Sequence, residues 1–374
     1  MKVVLVCAVL LGALTGCSGR SWLPYAREMG DTALLRTMGL DGGGERVELT
    51  VSTGGRSNGQ EALVLSAFGD SVPAAALAAQ SLGNSYVYYG HVDQLLLGEE
   101  VAVRGVGPVV DYLAREAELG LGVQVWAVRG GTAGQAIRTA GGQGVPERLA
   151  QLNTDGELGA ANISRSAAEL MTVLARGGST YLPALELLNA REGDGGEGGE
   201  QTLVPDGYAI LRQGKLVCWV DDDTARGIEL MEEQAFGQVA DLTLTDGAEV
   251  SLTVEEVHTG CRPVFRGEEL VGLDVTCALS ARVAQTGRRL NEDDLQVLQQ
   301  HLERMEGERM VQALELGQYW DADYLGLERR AQMARPDRKQ AVQEQWEGVF
   351  RSLDIRVEVR GTVKRSFGMM GAGR

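Results

Sequence analysis

The first seventeen residues constrain this chain more than any other stretch. Lys2 is followed by an almost unbroken apolar run from Val3 to Leu14, and the run closes on Leu14-Thr15-Gly16-Cys17. One charge, a short apolar core and small residues at its end make a secretory signal peptide. The core falls short of the roughly 20 apolar residues a membrane-spanning helix needs. A cysteine directly after the small residues is the lipoprotein form of that signal. The Cys17 thiolate then carries a diacylglyceryl group and the chain is cut between Gly16 and Cys17. The alternative is an ordinary cleaved signal whose last cysteine is accidental.

Lipidation sets the physical character of the rest of the chain. Each buried methylene contributes about 0.8 kcal/mol, and a single acyl chain binds membranes only marginally, so two chains on one sulfur supply the pair that stable attachment needs. No later run of about 20 apolar residues occurs, which leaves Cys17 as the expected anchor of a soluble body on the extracytoplasmic face. The body has ordinary globular composition, 44% hydrophobic and 23% charged over 374 residues, a length that favours two or three compact units. Its formal charge is -17; losing Lys2 with the signal leaves 34 basic against 52 acidic side chains, or -18. That balance repels phosphates and anionic headgroups, which excludes nucleic acid as a partner and argues against a second, electrostatic anchor. Beyond the signal only Cys218, Cys261 and Cys277 remain besides Cys17. They lack Cys-x-x-Cys spacing, so buried core thiols are the default, with a Cys261–Cys277 bridge left open.

After a polar lead from Ser18 to Gly30, the alternation of Val47, Leu49 and Val51 with polar neighbours predicts a half-buried strand, and Ala62 to Phe68 a second. Their connection holds Gly55-Arg56-Ser57-Asn58-Gly59, which matches the Gly-x-Ser-x-Gly pattern of hydrolase nucleophiles. That pattern requires a sharp strand-to-helix turn, whereas here the chain runs on as strand, so a hairpin loop is expected. Asp70 or Ser71 can cap a helix whose first turn suits Pro73 and which continues from Ala74 to Leu82. Ser85 to Gly98 reads as one aromatic and aliphatic buried strand, with a helix opening at Glu99 and another over Pro108 to Leu119. Val123 to Val128 is a strand, followed by a glycine turn and a helix from Thr132 to Thr139.

Two constellations invite chemistry. His91, Asp93, Glu99 and Glu100 could be drawn as an acid–base cluster. However, Glu99 and Glu100 complement a helix dipole, and His258 and His301 are far off in sequence, so His91 is expected to be a structural, hydrogen-bonded residue at a strand–helix junction. Gly130-Gly131-Thr132-Ala133-Gly134 opens a helix after a strand but lacks the Gly-Lys-Ser/Thr ending of a phosphate loop, and a plain glycine turn is expected.

From Val145 to Arg176 the chain reads as helical, with Ser164 capping Arg165 to Ala175, and Tyr181 to Asn189 as strand. The run Gly193 to Gly199 is an acidic, glycine-rich loop. Gly207 to Arg212 and Lys215 to Val220 form a hairpin turning at Gln213-Gly214, and the aspartates from Asp221 cap a helix over Thr224 to Gln234. In the last third, Val239 to Leu244, Val250 to Val257 and Val271 to Val283 alternate as antiparallel strands. A long helix begins at Asn291, with Leu295, Leu298, Leu302 and Met305 at seam spacing. Helices over Trp320 to Ala334 and Pro336 to Phe350 precede a strand from Leu353 to Val363. The fold class is α+β, or mixed α/β: three small α/β units, the last an antiparallel sheet packed by helices. The expected units are a signal over 1–16, an N-terminal domain over 17–140, a middle domain over 141–235 and a C-terminal domain over 236–374.

Several of these segments together resemble the Ger(x)C family, the GerAC-like C subunits of spore germinant receptors. They are Gly90-His91, Leu97-Gly98-Glu99-Glu100-Val101-Ala102, Asp111-Tyr112-Leu113-Ala114-Arg115-Glu116, a strand into Arg129-Gly130, the stretch Tyr208 to Gly227, and Trp346 before Phe350. One departure is visible: the family usually places tryptophan directly after the lipidated cysteine, whereas here Ser18 follows and Trp22 lies further on. The resemblance implies a non-catalytic lipoprotein subunit on the inner membrane of the spore, partnered by an integral-membrane A subunit and a permease-like B subunit. It implies no cofactor, no metal and no direct small-molecule ligand. The competing reading is an extracytoplasmic solute-binding lipoprotein that feeds a transporter; a surface hydrolase rests on Ser57 alone.

Overall fold

A computed structural model describes residues 32–43, 46–54, 63–139, 145–157, 162–189 and 201–365. The signal with Cys17, the Ser57 loop and the Gly193–Gly199 loop lie outside the described residues. Among those described, no helix is long and apolar enough to cross a membrane.

The polypeptide forms a mixed α/β structure in two bodies. The first is built on an eight-stranded sheet. β1 (Thr32–Leu34) leads into β2 (Thr37–Gly43), β3 (Arg46–Ser52) and β4 (Val64–Gly69), the last three an antiparallel meander. Ser52 pairs with Val64 and the Thr53 hydroxyl accepts from the Leu63 N–H at 3.0 Å, so the chain leaves and re-enters the Ser57 segment as paired strands. α1 (Val72–Leu82) is capped by Ser71, whose hydroxyl accepts from the Ala74 N–H at 3.3 Å.

The expected single strand from Ser85 to Gly98 is two. β5 (Tyr86–Tyr88) pairs with β1 outside the main sheet, the chain turns at Tyr89–Val92, and only β6 (Gln94–Gly98) joins β2, in parallel. α2 (Glu99–Arg104), α3 (Gly107–Arg115), β7 (Gln124–Val128), α4 (Ala133–Thr139), α5 (Val145–Glu157) and α6 (Ala167–Leu174) come next. β8 (Ser179–Asn189) lies parallel to β7, and β9 (Gln201–Arg212) and β10 (Lys215–Val220) complete the order β10-β9-β8-β7-β6-β2-β3-β4. Strands from both sides of residue 140 thus share one sheet, joined where β7 pairs with β8.

This sheet is covered on both faces. Leu95, Leu97 and Val125 pack with α1, α3 and α6, while Leu96, Trp126 and Val128 pack with Ile137 of α4 and Leu149 of α5. All five residues of β6 are buried, as parallel strands between two helical layers require. Trp126 is fully buried and its Nε1 donates to Gln94 Oε1 at 2.8 Å, so the indole brings no unpaired donor into the core.

The cap of α6 is Ser166 rather than Ser164. The Val125 N–H donates to the Arg165 carbonyl and the Ala167 N–H to the Val123 carbonyl, both at 2.8 Å, which holds residues 165–167 against β7 and delays the helix by two residues.

The second body begins with α7 (Asp222–Met231). β11 (Val239–Thr243), β12 (Glu249–Arg266) and β13 (Glu269–Thr286) are antiparallel. α8 (Glu292–Trp320), α9 (Leu327–Ala334) and α10 (Lys339–Val349) then carry the chain back to β14 (Asp354–Lys364), which pairs with β13 in parallel. A helical return sets that direction, because a parallel neighbour needs a long crossover and not a hairpin. α8 opens on a capping box in which Asn291 Oδ1 accepts from the Asp294 N–H and Asp294 Oδ2 from the Asn291 N–H, both at 2.8 Å. At Gly227 a Cβ would collide with the Arg309 carbonyl, which is why α7 and α8 can touch backbone to backbone. One buried cluster joins the bodies: Tyr181, Tyr208 and Ile210 of the large sheet pack with Ile228, Leu252, Leu314 and Tyr324.

Candidate functional site

The four residues of the acid–base constellation do not meet. His91 is exposed in the turn between β5 and β6, edge-on to the Tyr88 ring at 5.8 Å, so the expected hydrogen-bonded strand–helix position is not the one it holds. The turn is there because β5 pairs with β1 and β6 with β2. Asp93 pairs with Arg36 at 2.7 Å, and Glu100 pairs with Arg104 one helical turn on. Glu99 accepts from the Gly130 N–H at 2.6 Å and from Trp219 Nε1 at 3.4 Å. Each is a local tie.

The glycine turn is also occupied by the chain itself. Asp41, buried at the end of β2, accepts from the Ala133 N–H at 2.7 Å and from the Gly134 N–H at 2.8 Å. Its carboxylate stands where an anion bound to the first turn of α4 would stand. Burial pushes the Asp41 carboxyl above its ordinary range, and the two backbone donors pull the other way. A Cβ on Gly98 would overlap Asp41, so β6 must end in glycine for the seat to close. Only the pairing of β2 with β6 brings Asp41 here, and no short-range pattern marks it.

Cys218 is half-buried, Cys261 and Cys277 are buried, and all three are free. Burial raises the three thiols to about 11, about 12 and about 11, so they stay protonated and unreactive at neutral pH. The bridge between Cys261 and Cys277 is not formed. In register Cys261 opposes Val275 and Cys277 opposes Thr259, which sets the two sulfurs on diagonal positions.

The most developed polar region is the junction of the two bodies. Arg129, just after β7, donates to Asp206 at 2.7 Å and reaches Asp221 at 3.3 Å. Within the second body, Glu306 of α8 has a fully buried carboxylate held by Arg226 at 3.0 Å and Arg309 at 3.3 Å, and Arg309 also binds Asp223 at 2.7 Å. A buried carboxylate between two arginines is costly to desolvate and costlier to leave alone, so it fixes how α7 lies on α8 more than it adds net stability.

Beside this junction lies a cleft of about 830 Å³ between α6, the start of β8, the end of β9 and the α8–α10 region. Its charges are largely matched: Arg212 with Asp321, and Glu232 with both Arg165 at 3.6 Å and Arg330 at 3.3 Å. Arg165 lies over the Tyr181 ring at 4.0 Å, and its Nε, like the Tyr181 hydroxyl, is buried without a hydrogen-bond partner among the described residues. Asp323 caps α9, accepting from the Leu327 N–H at 2.7 Å and the Glu328 N–H at 2.9 Å, and burial raises its carboxyl to about 6.

The arrangement is that of a two-body α/β protein whose charges hold its own parts together. A family model described as Spore germination protein N-terminal domain matches residues 26–187, and one described as Spore germination B3/GerAC like, C-terminal, matches residues 206–367. The two cover most of the chain, which belongs to the GerAC-like family of spore germination proteins. Among solved structures it is similar to the crystal structure of the GerBC protein, with a TM-score of 0.57 and 17% identity over 87% of this chain and 96% of that one. No curated protein matches it.

Proposed function

We propose that this chain is the lipid-anchored, non-catalytic C subunit of a membrane germinant receptor and helps couple nutrient sensing to spore germination. In this reading Cys17 carries the anchor on the extracytoplasmic face of the spore's inner membrane. The body docks on the integral-membrane A and B subunits, without a cofactor. The observation that carries the reading is the pair of family matches, over residues 26–187 and 206–367, behind a Leu-Thr-Gly-Cys signal end at Cys17. Tethering confines subunits to one surface and raises their effective concentration without any new contact. The closed Asp41 seat and the charges paired between the two bodies, Arg165 with Glu232 and Arg212 with Asp321, support a role in holding over one in catalysis.

The test is Cys17→Ala. The expected outcome is a body that melts as before but leaves the membrane fraction, with impaired germination; retention in the membrane would end the anchor reading. The competing solute-binding reading draws on the cleft beside Arg165 and Tyr181. It requires a rise in melting temperature with a nutrient amino acid or sugar, and the receptor-subunit reading expects none.

A further inference from the structure

We propose that the charge-poor end of the first body, formed by the outer side of α1 and the β1–β5 pair, is the face this protein lays on the lipid surface. The proposal deepens the anchor reading and rests on it for the tether at Cys17.

Ser71 to Val92 is a run of 22 residues without Asp, Glu, Lys or Arg, the longest such run after Cys17 in a chain that is 23% charged. It is not simply core. Val72, Ala75, Ala76 and Ala79 face the sheet, but Leu77 is 72% exposed and Leu82 is 59% exposed, with Pro73, Ala74 and Ser81 also open to solvent. Isolated surface leucines are commonplace. What sets these apart is their setting, because nothing charged within the run interrupts them and the tether arrives beside them.

Topology makes the second point. β1 runs through Leu35 and Arg36 into β2, and β4 lies two antiparallel steps from β2, so it points the same way. α1 returns from the end of β4 to β5, which is parallel to β1, and so brings Leu82 to the end of the body where β1 begins. Gln80 fastens the two, its Oε1 accepting from the Val87 N–H at 2.9 Å. Thr32, the first described residue, pairs with Tyr86 in this corner. Fourteen residues, Ser18 to Asp31, separate it from Cys17, which allows at most about 50 Å of chain.

Charge favours lipid as the occupant. An acidic body is repelled by anionic headgroups, and a charge-poor face is the part of it that can approach them most closely. Tyr86 and Tyr88, half-buried at the same corner, are side chains suited to the headgroup level. Glu118 reaches this corner, where its carboxylate is engaged by the Tyr86 hydroxyl at 2.9 Å and the Tyr89 N–H at 3.3 Å.

Carbene footprinting of the mature chain on vesicles of phosphatidylethanolamine and phosphatidylglycerol tests this. Two forms are compared with the untethered chain in solution: the native lipoprotein, and a chain with residues 1–17 replaced by a hexahistidine run held by a nickel-chelating lipid. Labelling at Leu77 and Leu82 is expected to fall by about threefold or more on vesicles, as for side chains sunk into the headgroup region. Tyr319 and Met333, exposed on the second body, should keep theirs. Unchanged labelling of Leu77 and Leu82 in the hexahistidine form overturns the assignment whatever the state of Cys17. Protection that arises only in membranes containing the integral receptor subunits overturns it too, as a protein-docking face. A native chain whose mass shows no acyl groups sinks the anchor reading alone, since the hexahistidine form reports on the face independently.

Discussion

The two sheets of this molecule bury their strands in different ways. In the eight-stranded sheet helices cover both faces, and β6 and most of β7 are buried at every position. In the four-stranded sheet one face is packed and the other is open, so β11 alternates exposed and buried, and β14 keeps every second residue exposed along most of its length. Interior volume is therefore decisive in the first sheet, whereas half of each strand in the second is free to vary. Trp126→Ala should cost about 3–5 kcal/mol in a urea titration, since it opens a large cavity and strips Gln94 of its partner. Glu358→Ala, on the open face of β14 and paired with the exposed Arg360, should stay within about 0.5 kcal/mol. Similar costs at the two positions would erase the contrast.

The same difference governs what could be read from residues alone. Alternation marks β11 and β3 directly, whereas β2, only weakly apolar and closing on Gly42-Gly43, carries no strand signal of its own. Where both faces are covered the period-two signal vanishes, and an apolar run such as Ser85 to Gly98 carries no sign of where pairing changes from β1 to β2. The long helix shows a related limit. Leu298 and Leu302 are buried as their spacing predicts, but the next position on that stripe is Glu306 and not Met305, which is only half-buried. A carboxylate can occupy the stripe because Arg226, from 80 positions earlier in the chain, joins Arg309 in pairing with it. Asp41 is hidden for the same reason: its partners, the N–H groups of Ala133 and Gly134, are more than 90 positions away.

Where the bodies meet, stability should depend on pH. The Asp323 carboxyl is raised from 3.8 to about 6, so the folded state binds its proton more tightly than the unfolded chain does. The stability this proton lends is fully present below about pH 3.8 and is lost as pH rises through about 6. At about 1.4 kcal/mol per pH unit, the loss is up to about 3 kcal/mol. Asp323→Asn keeps an acceptor for the first turn of α9 and removes the titration. The stability difference, wild type minus variant, should therefore shrink from pH 4 to pH 7, and a difference that stays flat over that range would show that Asp323 is solvated like an ordinary surface acid. Trp126, in the first body, has no such dependence to lend.

An effect smaller than those at Trp126 and Asp323 concerns the seam between helix and strand in the first body. Ser166 closes a capping box with Glu169, whose carboxylate accepts from the Ser166 N–H at 2.8 Å and is held below its usual range despite partial burial, chiefly by the Ser166 backbone and hydroxyl. Ser166→Ala should cost about 1 kcal/mol, the ordinary worth of such a cap. If the cap were the sole reason α6 begins at Ala167, the variant would also fray the first turn of α6. The backbone bonds from Val125 to Arg165 and from Ala167 to Val123 argue otherwise, because they hold this start in place whatever the side chain. Amide exchange at Ala167 should therefore stay slow in the variant while exchange at Glu169, which loses its acceptor, quickens. Equal acceleration at both would mean that the serine, and not the pairing with β7, sets where the two-sided sheet yields to helix.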